Sequence, residues 1–167
     1  MNSATQGTGT ILIMGVGNTL LQDDGVGVHV VESLRPWAER LPRISIVDGG
    51  TLGLSLLPEV ESAAAVIVVD AGETGAEPGE IRVFRNADMD RQLSGRKSTV
   101  HEVAVADLLA AAQLSGHQPP ERALIVIQPC STEWGLAPTP AVHKAIPEAR
   151  TLVTKIAEEL LAEELAA

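Results

Sequence analysis

The stretch GVGNTLLQDDGVGV, residues 15–28, sets two adjacent carboxylates, Asp23 and Asp24, among four glycines. A glycine-bordered loop early in a chain suggests a phosphate cradle, but this one has the wrong residues for it. Leu20 stands where a dinucleotide fingerprint needs its third glycine, and no Gly-Lys-Ser/Thr follows. Two acids would also repel the phosphate. Glycines here let the backbone turn and a partner approach closely, so the acids are free to face a cation or a basic peptide. The bland alternative is that Asp23 or Asp24 caps the next helix, a role aspartate favours. A second carboxylate, Asp70, closes the apolar run AAAVIVVD (63–70). It falls at a strand end, where α/β proteins build their sites, although a turn-forming aspartate is equally compatible. The third group is His101. In Thr99-Val100-His101-Glu102, Thr99 suits an N-cap and Glu102 the reciprocal N3 position, which puts His101 in the first helical turn. The positive helix end there disfavours an imidazolium and leaves a lone pair for a metal or a proton.

Each of Asp24, Asp70 and His101 is expected to follow a separate strand, and together they can meet at one rim of a sheet. Two carboxylates and an imidazole suit Zn²⁺, Ni²⁺ or a similar ion, with positions left open for water or substrate. The other histidines, His29, His117 and His143, read as structural or surface residues.

The elements that must position these groups follow from the hydrophobic pattern. Apolar runs at 11–16, 43–47, 63–70, 80–85 and 122–128 predict five strands. Val26, Val30, Leu34 and Trp37 recur at helical spacing, Leu54, Leu57 and Val60 do so more briefly, and 101–114 is a long Ala/Leu-rich helix. GETGAEPG (72–79) has turn composition, which predicts a hairpin of strands three and four, possible as an antiparallel pair. In the tail, Leu152, Ile156, Leu160 and Leu161 form one stripe and the glutamates lie elsewhere, with Pro147 expected to kink or divide the helix. The expected fold is a three-layer α/β sandwich: a mostly parallel five-stranded sheet with helices on both faces.

A chain of 167 residues fits one domain. With 45% hydrophobic residues and only Trp37, Trp134 and Phe84 as aromatics, the core must be aliphatic, as a buried parallel sheet requires. The net charge of −10 disfavours nucleic acid and anionic membranes as partners. Cys130 is the only cysteine, so neither an internal disulfide nor a cysteine-cluster metal site can form. The first ten residues, MNSATQGTGT, have no basic n-region and are expected to be disordered, ahead of a single cytoplasmic domain at 11–167.

The ordered set GVGNTLLQDDGVGV, DGGTLGLSLL (48–57), VIVVDAGETG (66–75), HEVAVADLL (101–109) and WGLAPTPAV (134–142) resembles the hydrogenase maturation endopeptidases. These proteases trim the C-terminus of the large subunit of nickel–iron hydrogenases. The family places an acid after the first acid of the loop, an aspartate at the end of the third strand and a histidine at the start of the following long helix. Those positions fall on Asp24, Asp70 and His101, and the resemblance implies that they are catalytic and bind metal. It further implies that the ion is nickel supplied by the large-subunit precursor; the donor set makes zinc the expected surrogate, and a monomer is expected. Asp24 is the shorter of the two acids the family permits, and no role is carried onto Cys130.

Two rival readings come from other classes. A signalling receiver domain also pairs acids after strand one and ends strand three with the aspartate it phosphorylates, but it carries a lysine after strand five where this chain has Gln128-Pro129. A cysteine peptidase built on Cys130 and a histidine is the other, although a lone cysteine past an apolar strand is more often a packing or loop residue.

Overall fold

The computed structural model describes residues 9–50, 53–95 and 99–166, with side chains to 163. Residues 1–8 of the expected N-terminal tail lie outside the described residues, and the first strand, β1, already begins at Thr10 (Thr10–Val16). A 3₁₀ turn at Gln22–Gly25 leads into α1 (Val26–Ser33) and α2 (Arg35–Ala38). The stripe from Val26 to Trp37 is therefore split, because Pro36 lacks the N–H that would continue the first helix and instead opens the second. Then come β2 (Ile44–Gly50), a 3₁₀ turn at Gly53–Leu56, α3 (Leu57–Ser62) and β3 (Ala63–Ala71). β4 (Ile81–Arg85), α4 (Ala87–Ser94), α5 (Val100–Leu114) and β5 (Glu121–Ile127) follow, and α6 (Pro140–His143) and α7 (Ile146–Ala166) end the described chain.

The sheet order is β2-β1-β3-β5-β4. Three pairings are parallel and the last, β4 with β5, is antiparallel, so the sheet is mixed. The expected hairpin of strands three and four does not form, because β5 lies between them. The reason is burial: Ala123 to Ile127 is buried throughout, as an interior strand must be, whereas β4 (IRVFR) exposes Arg82 and Val83 and suits an edge. The Gly72–Gly79 turn survives as a crossing over the end of β5, held by Gly72 N–H to Ile127 O and Gly79 N–H to Gln128 O.

Side chains alternate across the sheet and feed two cores. Ile11, Ile13, Ile67, Val69, Ile125 and Ile127 face α1 and α7; Leu12, Met14, Val66, Val68, Leu124 and Val126 face α3, α4 and α5. This is the expected three-layer sandwich. Gly27 lets α1 sit close to the sheet, since a Cβ there would lie 2.1 Å from the Val69 carbonyl oxygen. Ile156 and Leu160 pack on the sheet, and Pro147 stands in the first turn of α7, dividing the tail into a short helix and a long one. α4 was not expected: its two buried residues, Met89 and Leu93, four apart, are the whole of its apolar signal.

Candidate active site

Strand register sets the site. Gly15 of β1 lies opposite Val69 of β3, so Asp70 is level with the start of the acidic loop. By alternation Asp70 shares the face of Val66 and Val68, the face packed by α5. It is the polar end of an otherwise aliphatic row.

The two adjacent acids have different fates. Asp23 is fully buried and accepts from Cys130 N–H (2.8 Å), Ser131 N–H (3.0 Å), Thr139 N–H (2.6 Å) and Thr139 Oγ1 (2.8 Å). Its own N–H donates to Ser131 O, while beside it Gln22 N–H donates to Gly135 O and Gly135 N–H to Leu20 O. Asp23 thus staples the 130–139 loop to the first loop. Asp24 turns the other way: its Oδ2 accepts from Asn18 N–H and meets His101 Nε2, both at 2.9 Å. Neither acid caps α1, whose N-cap, Gly25, has no side-chain hydrogen bond. Gly17 makes the turn possible, with φ +126° and no room for a Cβ, which would fall 1.9 Å from the Asp24 carbonyl oxygen.

His101 is delivered as the sequence indicates. Thr99 Oγ1 accepts from Glu102 N–H at 3.1 Å and Glu102 Oε2 accepts from Thr99 N–H at 3.3 Å, a complete capping box. The correction is to its neighbourhood, since α4 intervenes between β4 and α5 and His101 does not directly follow a strand.

Asp70 is 3% exposed, and its Oδ1 is buried with no hydrogen-bond partner. Burial pushes its carboxyl well above the ordinary aspartate range; the negative charge of Asp24 adds to the push, the Ala71 N–H opposes it, and Glu102 adds a smaller push. Asp24, Asp70 and Glu102 therefore share one electrostatic neighbourhood. Glu102, read from the sequence only as a capping partner, belongs to it. The capping spacing hid that role.

The donor set of two carboxylates and an imidazole, with one orphaned buried oxygen, fits a divalent ion chemically. Among the described residues, however, no group of three or more His, Cys, Asp or Glu side chains is gathered tightly enough to hold a metal. Instead Asp24 and His101 bond to each other. Cys130 is exposed, and its backbone N–H, not its thiol, serves Asp23. His117 and His143 are exposed and His29 is partly buried on α1.

Asp24, Asp70 and His101 thus come together at the carboxyl rim of the sandwich. The chain belongs to the hydrogenase maturation protease family, whose profile matches residues 28–156 and so includes Asp70 and His101 but starts just after Asp24. Among its relatives, the hydrogenase expression/formation protein HupD of Rhodobacter capsulatus is 38% identical over 133 residues, 79% of this chain and 63% of that protein. The hydrogenase 2 maturation protease of Escherichia coli is 33% identical, over 81% of this chain and 83% of that one. The chain thus spans less than two thirds of the Rhodobacter relative. Among solved structures, the hydrogenase maturating endopeptidase HybD of E. coli superposes with a TM-score of 0.82 at 31% identity, covering 90% of this chain and 93% of the other. The receiver-domain reading finds no support in these matches. No helix among the described residues is long and apolar enough to cross a membrane.

Proposed function

We propose that this chain is an endopeptidase that removes a C-terminal extension from the nickel-loaded precursor of a nickel–iron hydrogenase large subunit, acting as a cytoplasmic monomer. Family membership supports the reaction class. The observation that carries the site assignment is the buried, partnerless Asp70 oxygen beside the Asp24–His101 pair. Leaving a buried carboxylate oxygen unsatisfied costs stability, and such strain concentrates where chemistry is done.

Peptide hydrolysis adds water across the scissile C–N bond, so the site must accept a proton from water and return one to the leaving amine. Asp70, whose proton affinity is raised by burial, is the group assigned to accept that proton. Asp24 holds the His101 ring by Nε2 and fixes its orientation. The precursor's nickel enters as part of the substrate; Asp24, Asp70 and His101 are the donors offered to it, and a bound divalent ion would polarise the scissile carbonyl. Zinc would serve as a surrogate. An acid–base pair of aspartates without an ion is the second reading, favoured by the charge coupling of Asp70 to Asp24.

Incubating the chain with nickel-loaded and nickel-free precursor, and weighing the products by mass spectrometry, tests both. Truncation confined to the nickel-loaded precursor is expected. Equal truncation of the two would remove the metal from the account, and truncation of neither would remove the protease.

A further inference from the structure

The two edges of the sheet are built differently. β4 carries Arg82, beside Glu80, and Arg85, bonded to Glu159, and such charges are a usual protection of an exposed edge. β2, the other edge, runs Ile44-Ser45-Ile46-Val47 with neither charge nor proline before Asp48. The ladder decides which of its polar groups are left over. Ile11 lies opposite Ile44 and donates its N–H to Arg43 O, so Ser45 and Val47 bond to β1, while Ile46 and Asp48 turn their backbone groups outward. Arg35 agrees with that direction: its Nη1 reaches Ile46 O at 3.4 Å, a long and therefore weak bond. An open groove of about 220 Å³ follows the strand beneath α2, lined by Arg35, Ala38, Glu39, Ile44, Ser45 and Ile46.

We propose that the C-terminal extension of the large-subunit precursor adds to this edge as an antiparallel strand, with the residue opposite Ile46 exchanging both backbone bonds. The proposal rests on the protease reading above. Register selects this occupant. Asp48 lies opposite Gly15, and Gly15 opposite Val69, the residue before Asp70, so the carboxyl end of β2 is level with the site. A strand added outside β2 would lie three strand spacings, ~14 Å, from β3, a gap that about four extended residues span. A chain leaving the scissile bond at the rim can therefore cross β1 and β2 and run down the edge, with pairing from about five residues past the bond. The extension is the part the reaction discards, so it need not pack in the mature subunit and is free to be extended. Added strands draw affinity from main-chain bonds, which an uncharged edge with outward N–H and C=O groups supplies.

Ile46→Pro deletes the outward N–H, a change edge strands tolerate where that N–H faces solvent, while Ile46→Ala loses the same packing and keeps the donor. With nickel-loaded precursor, Ile46→Pro should raise KM about tenfold over Ile46→Ala with kcat within about twofold, the pattern of lost binding and intact chemistry. Equal KM values for the two variants would overturn the proposal. A second measurement keeps the enzyme wild type and places single prolines along the whole extension. KM should rise about tenfold at alternate positions of the paired stretch, where the N–H faces β2, and stay near the parent value between them and at alanine substitutions. A scan without that alternation would overturn the edge pairing and leave the protease standing. Failure of the wild type to cleave any precursor would overturn the protease reading and the edge pairing with it. In sedimentation, a wild-type dimer that Ile46→Pro dissociates would give the edge to a second copy of the chain and would likewise overturn the proposal.

Discussion

Asp23 and Asp24 are neighbours in the chain, and the contrast between them shows how one loop can carry both structure and chemistry. Asp23 has four hydrogen-bond donors on its two oxygens and no exposure, so nothing further can approach it. Asp24, one residue on, has a single backbone donor and an imidazole, and lies beside a buried Asp70 whose Oδ1 has no partner. A satisfied carboxylate fixes geometry, and an unsatisfied one is available for reaction. The first staples the 130–139 loop so that the second is held at the rim.

That division can be broken from either side. Within this loop the larger effect on cleavage should follow Asp24→Ala, which removes both the His101 partner and one proposed ligand; precursor cleavage should fall by about 10³-fold or more, with melting little changed. His101→Ala should slow cleavage by about 10²-fold while helix content by circular dichroism holds, because Thr99 and Glu102 still form the capping box. Asp23→Ala should act on stability instead. Stranding four donors should cost about 3 kcal/mol or more, a fall in melting temperature of roughly 6–12 °C. If Asp23→Ala left melting unchanged, the staple assignment would be wrong. The smallest effect belongs to Cys130→Ser, which keeps the backbone N–H to Asp23 and should hold cleavage within about twofold of wild type. Loss of activity there alone would favour a thiol nucleophile.

Much of this was legible from residue types. The strand runs, the capping box at Thr99 and the rim position of Asp70 all rest on local patterns, and the structure has them. What sequence could not resolve was the split between Asp23 and Asp24, since the donors to Asp23 come from Cys130, Ser131 and Thr139, more than a hundred residues away. The place of β5 was hidden for a related reason: a turn-like segment after β3 predicts a hairpin locally, while burial of Ala123 to Ile127 on both faces decides the order globally. α4 escaped because Met89 and Leu93 alone carry its apolar face.

The central claim is that Asp70 is kept in an unfavourable setting for function, and Asp70→Asn tests it most directly. The folded-state proton affinity of Asp70 is raised, so its contribution to stability is fully present below the ordinary aspartate pKa of about 3.9 and is lost as pH rises toward its folded value. Asn does not titrate, and its advantage should therefore grow with pH across that window. The measurement is thermal melting of wild type and Asp70→Asn from pH 4 to 8, paired with precursor cleavage by the same two samples. We expect the variant to melt higher, by about 2–4 °C per kcal/mol relieved, with the gap widening as pH rises, and to cleave nothing. A variant that melts no higher and cleaves at the wild-type rate would contradict the account.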